Sequence, residues 1–160
     1  MTARRDGKEP TPEAQLGSYI DRLDPKNQKL VRSVRAAVRK RFPTANELAY
    51  DYKRFFVIGY SPTDKGIDSI VAIAARDTGV SLYLSQGPKL PDPKRILLGS
   101  GKQTRFVQLE SASQLAQPDV EALIAATIDQ ARTPLPSKVK GSLIIKSTAA
   151  KKRPRRRATE

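Results

Sequence analysis

The sequence predicts an α+β domain whose mainly antiparallel sheet of about five strands is packed with N-terminal and C-terminal helices. Three observations carry that prediction. Residues 47–85 form the longest stretch dense in β-branched and aromatic side chains, broken by turn-forming runs at 61–66 and at Asp77-Thr78-Gly79. Helical apolar periodicity flanks it over residues 25–42 and 118–132, each opening with proline at the first helical position. A chain of 160 residues, 38% of them hydrophobic, has room for one core of ordinary size and not for two.

Residues 1–10 are polar, include Gly7 and Pro10, and read as a flexible arm. Thr11 before Pro12-Glu13 has the form of a helix cap with proline and an acid in the first turn. Tyr19, Ile20 and Leu23 then recur at helical spacing up to the break at Asp24-Pro25. Asp24 caps the next helix, over 25–42, where Leu30, Val31, Val34, Ala37, Val38 and Phe42 share one side. Arg32, Arg35 and Arg39 form a stripe on another side. Arg41 falls inside the apolar sector, so either the last turn frays or its stem lies along the core with the guanidinium outside. From 26 to 41 there are seven bases and no acid, so no favourable ion pair forms within that span and the stripe is open to a phosphate-bearing partner.

Strands are expected at 47–52, 54–60, 69–76 and 80–85. The second and third are apolar on both faces, with Phe55 and Val57 opposing Phe56, Ile58 and Tyr60, so the sheet must be covered twice or present a surface. Glu47 and Asp51 face one way but lie about 13 Å apart along a strand, as two exposed edge acids. Residues 87–93 form a stiff proline-rich loop, 94–97 a helical turn, 104–109 a further strand, and 118–132 the last helix. Residues 141–146 offer an edge strand. The domain thus spans 11–146, and 147–160 is a basic disordered tail carrying Lys151, Lys152, Arg153, Arg155, Arg156 and Arg157.

The net charge of +14 divides unevenly. Residues 47–132 hold ten bases and ten acids, so the surplus sits on the second helix and in the tail. With neither histidine nor cysteine, the usual general base, thiolate nucleophile, disulfide and commonest transition-metal ligand are all missing. No run approaches the roughly 20 apolar residues of a membrane helix, and the first residues carry no apolar signal segment, so a cytoplasmic protein is expected. Gly99-Ser100-Gly101-Lys102 fails the Walker pattern at Ile96 and Gln103, although the backbone there and Lys102 could hold an anion. Tyr50, Tyr52, Tyr60 and Tyr83 fall in expected strands, where a ring packs on apolar neighbours and offers its hydroxyl to a ligand.

Tyr19-Ile20, Glu47-Leu48-Ala49-Tyr50-Asp51-Tyr52, Ile58-Gly59-Tyr60-Ser61-Pro62-Thr63, Val80-Ser81-Leu82-Tyr83-Leu84 and Leu90-Pro91-Asp92-Pro93 follow one another in this order along the chain. With Gly99-Ser100-Gly101-Lys102 and Lys152-Arg153-Pro154-Arg155-Arg156, the chain resembles the YdhG-like family, the domain of unknown function numbered 1801. The resemblance covers roughly residues 16–132 and extends into the tail. It implies a helix-flanked, frataxin-like two-layer sheet. Part of the family carries a frataxin-like iron-chaperone association, which rests on an acidic helix ridge; the long helix here is basic, and no residue is matched to a metal ligand.

The sequence therefore points to a non-enzymatic binding module for a small ligand or protein partner. No cofactor is implied. Tyr50, Tyr52, Tyr60 and Tyr83 are the candidate ligand contacts. A second expectation is weak nucleic-acid association through Arg32, Arg35, Arg39, Lys102 and the tail, and a third is iron handling.

Overall fold

A computed structural model describes residues 10–146. It shows an α+β architecture of three helices and one six-stranded open sheet. In chain order the elements are α1 (Pro12–Asp21), α2 (Pro25–Arg41), β1 (Asn46–Asp51), β2 (Phe55–Ser61), β3 (Val71–Arg76), β4 (Gly79–Ser85), β5 (Thr104–Leu109), α3 (Pro118–Asp129) and β6 (Leu143–Lys146). The sheet order is β5-β4-β3-β2-β1-β6. Neighbours are antiparallel except β6, which adds parallel to β1 in the register Leu48↔Ile144.

The helix starts form as their caps dictate. Thr11 Oγ1 accepts from the Ala14 amide at 3.1 Å, and Asp24 Oδ1 accepts from the Asn27 amide at 2.9 Å, with proline next in both helices. Gln117 makes no side-chain cap at α3, whose first turn instead carries Asp119 and Glu121 against the positive end of the helix dipole. The Asn27 side chain donates to the Asp77 carbonyl at 2.9 Å, pinning the start of α2 to the β3–β4 hairpin.

Register shows which face is covered. Ala49, Ile58, Ile73, Leu82 and Val107 lie side by side across five strands, and all belong to one buried cluster with Leu16 and Ile20 of α1, Val31, Val34 and Val38 of α2, and Leu123 and Ile124 of α3. Leu143 and Ile145 of β6 pack against it. No residue of the opposite parity in the strands, such as Tyr50, Val57, Ala72, Tyr83 or Phe106, joins that cluster. The helices therefore share one face of the sheet, and the structure is two-layered.

Two expectations change, one turn is added, and two open points resolve. Residues 94–97 do not form a helical turn: the Asp92 carboxylate accepts from the Ile96 and Leu97 amides and holds the chain in an open loop, while a 3-10 turn forms earlier, at Gly87–Lys89. A further 3-10 turn, Ala112–Ala116, precedes α3, closed by a capping box between Ser111 and Gln114. α3 itself stops at Asp129, three residues early. The run at 141–146 makes the sixth strand, because β1 would otherwise leave its backbone unpaired. Arg41 resolves as a stem along the core: its guanidinium reaches Glu121 at 3.0 Å and lies 5.8 Å from the Phe42 ring centre.

Among the described residues, no helix is long and apolar enough to cross a membrane. The tail positions Lys151, Lys152, Arg153, Arg155, Arg156 and Arg157 lie outside the described residues.

Candidate functional site

The two faces of the sheet treat the candidate residues differently. On the covered face, Tyr60 of β2 is wholly buried and its hydroxyl donates to Glu47 Oε2 at 2.6 Å. Glu47, with a side chain 5% exposed, also accepts from Arg35 Nε at 2.8 Å and Nη2 at 2.8 Å. Arg35 completes a second two-point pair with Glu13 at 2.9 and 2.8 Å, and Arg39 approaches Glu47 at 3.5 Å. Burial raises the Tyr60 phenol well above its ordinary value, with the Glu47 charge beside it acting the same way. The hydrogen bond from Arg35 lowers the Glu13 carboxyl.

Two readings of the sequence are corrected by this network. Tyr60 is not a ligand contact, because both its ring and its hydroxyl are consumed inside the domain. Glu47 is not an exposed edge acid but the buried acceptor around which α1, α2 and β1 meet. The arginine stripe of α2 is correspondingly paired: Arg35 and Arg39 with Glu47, and Arg32 with Asp21 at 3.5 Å. The absence of acids within α2 held no information about acids on α1 and β1 brought alongside it.

The opposite face carries Tyr50, Val57, Ala72, Tyr83 and Thr104 on neighbouring strands, and they line an open groove of about 770 Å³. Its floor is low because the central strands supply Gly59 and Ala72 there. Gly59 has no room for a larger residue: an added Cβ would stand 2.6 Å from Ser69 Oγ. Aromatic pairs rise on both sides. Tyr50 stacks with Tyr52 at 6.3 Å between ring centres, and Tyr83 with Phe106 at 4.9 Å. Tyr50 is half-buried, and burial, with Tyr52 alongside, raises its phenol, so it is a neutral donor in the ordinary pH range.

Two loops leave the same end of the sheet and border this groove. The β2–β3 loop folds its Gly66–Asp68 turn against Tyr50, so closely that a Cβ at Gly66 would overlap the Tyr50 hydroxyl, and it leaves Ile67 84% exposed beside the groove. The loop between β4 and β5 brings Gln86, Lys89, Lys102 and Gln103, tied together where the Gly87 amide donates to the Gln103 carbonyl at 3.2 Å. Arg132 reaches the same end because Thr127 of α3, wholly buried, donates to the Ser85 carbonyl at 2.7 Å and fixes the end of that helix. Lys89, Lys102 and Arg132 make no ion pair with a described residue.

The structure thus gathers Tyr50, Tyr52, Tyr83 and Lys102 into one groove and places Tyr60, Arg32, Arg35 and Arg39 in the other layer. Sequence reasoning missed Lys89 and Arg132, which belong to no motif and are 43 residues apart by their numbers. Among the described residues, no three carboxylates group as a metal site would need. No protein-family model, curated protein or solved structure matches the chain.

Proposed function

We propose that the protein is a binding module whose site is the uncovered face of the sheet, the groove between the β2–β3 and β4–β5 loops. The observation that carries this reading is the groove itself: about 770 Å³, on the scale of small-molecule sites, walled by aromatic rings and bordered by cations that make no ion pair with a described residue. Among the described residues its lining offers no carboxylate, and the chain has no histidine or cysteine, so the commonest general bases and the thiolate nucleophile are missing there, which favours a binding role. Membership of the YdhG-like family remains part of the proposal, supported by the order of the sequence motifs and by the helix-flanked sheet. Association through the basic face of α2 is the second reading: Arg32, Arg35 and Arg39 are paired with acids, which weakens it, while Lys26, Lys29 and Lys40 make no ion pair with a described residue.

A thermal-shift screen of a metabolite library against the full chain and against Ala72→Phe tests the reading. Ala72 sits between Gly59 and Tyr83 in the register, so a phenyl ring there fills the floor. Ligands that stabilise the wild type and not the filled variant support the site. A library that yields only ligands acting equally on both proteins overturns it.

A further inference from the structure

The chemistry of the groove is divided along its length. Towards the β2–β3 loop the lining is apolar and aromatic, with Tyr50, Val57 and Ile67. Towards the ends of β4 and β5 it turns cationic and hydroxylic: Lys89, Lys102 and Arg132 stand with Ser85 and Thr104. Tyr83 lies between, in the register Ala72↔Tyr83↔Phe106. Among the described residues no carboxylate lines either part and none pairs with its cations, so the charge there is complementary to an anion. Gln86, at the cationic end, holds φ at 59°, a left-handed conformation that costs energy in a residue with a Cβ and persists where the surrounding structure enforces it.

We propose that the groove binds a nucleotide, with the base against Tyr83 or Tyr50 and the phosphates among Lys89, Lys102 and Arg132. This rests on the uncovered face being the binding site. A flat ring is held by stacking on tyrosine, and a phosphate by unpaired lysine and arginine donors beside hydroxyls. One molecule that joins both groups matches the division of the groove. A single-stranded polymer would want cations spread along a track with successive stacking platforms, whereas all three cations of this lining gather at one end.

Calorimetric titration of the full chain at low salt with ADP, GDP, CDP and UDP tests the proposal, with the matching nucleoside, pyrophosphate and a decanucleotide of the same base as comparison probes. At least one diphosphate is expected to bind about tenfold more tightly than its nucleoside or pyrophosphate alone. Lys102→Ala and Tyr83→Ala are each expected to weaken it about tenfold, and Lys29→Ala, an exposed change on α2, to leave it unaltered. The lysine variant removes no packing, so it stays informative if the tyrosine variant folds poorly. No binding by any of the four, equal binding by pyrophosphate, or a decanucleotide bound about 100-fold more tightly than the mononucleotide would each overturn the proposal. If these fail while the library screen still yields ligands lost in Ala72→Phe, the ligand class is wrong and the site stands. If both fail, the site itself is wrong.

Discussion

On the covered face Tyr60 donates to Glu47, which accepts from Arg35; on the open face Tyr50 and Tyr83 share a groove with Lys89, Lys102 and Arg132 and no carboxylate. The residue types are the same, tyrosine with strong cations, and the outcome is opposite. In the first place each polar group ends on a partner within the domain, and the assembly fastens α1 and α2 to β1 and β2. In the second, the cations make no ion pair with a described residue, and the rings pack on one another and on the β2–β3 loop. A cation is available for a ligand when the fold brings no acid to it, and the number of cations in a stretch of sequence does not decide that.

The sharpest way to break the contrast is at Glu47. Glu47→Ala removes the acceptor shared by Tyr60, Arg35 and Arg39, and should cost about 3 kcal/mol in urea unfolding, since a half-buried guanidinium and a buried phenol lose their common partner. A loss below about 1 kcal/mol would show that Glu13 and water replace it. Next comes Tyr60→Phe, which keeps the ring and deletes one donor to a carboxylate that retains its arginines; about 1–2 kcal/mol is expected by the same measurement.

On the open side the stability effects should be smaller although the binding effects are large. Tyr83→Ala forfeits its stack with Phe106 and should cost about 1 kcal/mol. Lys102→Ala should shift stability by less than about 0.5 kcal/mol. A large destabilisation at Lys102 would make that residue part of the scaffold and erase the distinction between the faces.

Between these two in size lies a pH effect confined to the covered layer. The Glu13 carboxyl is lowered by its hydrogen bond from Arg35; for Asp51, burial acts upward but is outweighed by Arg22 and the Lys53 amide, so its carboxyl is lowered too. A lowered folded value means the folded state binds fewer protons, so the stabilisation is present above about pH 4 and is lost as pH falls through the folded values. Both pairs are partly exposed, so the loss should stay under about 1 kcal/mol for each. Tyr60 works at the other limb: its raised phenol keeps its proton when the unfolded chain loses it, so stability falls as pH rises past about 10. Tyr60→Phe should shrink that alkaline limb to the smaller part that the raised Tyr19 and Tyr50 phenols contribute, and leave the acid one, a pair of outcomes that unfolding curves across pH would check.

Local signals made much of the fold legible. Thr11-Pro12 and Asp24-Pro25 set both helix starts, because a cap and a fixed proline φ act within one turn of chain. The strands followed from β-branched and aromatic density, with boundaries shifted by one or two residues. The 94–97 loop was not legible, since the Asp92 carboxylate competes there for the very amides a helical turn would leave free. Of the groove, Tyr50, Tyr52, Tyr83 and Lys102 could be singled out from strand position and a glycine-rich turn, while Lys89 and Arg132 could not.

By itself the sequence determined the α+β class, the helix caps, the strand-dense middle and its two apolar faces, because each depends on neighbours within a few residues. Tertiary structure alone decided which face the helices leave uncovered and, among the described residues, which cations make no ion pair. Those outcomes depend on pairs such as Arg35 with Glu13 and Glu47, and Thr127 with Ser85, which are remote in the chain and adjacent only after folding. Coulomb attraction and hydrogen bonding act over a few ångströms of space, so no count along the chain can stand in for them.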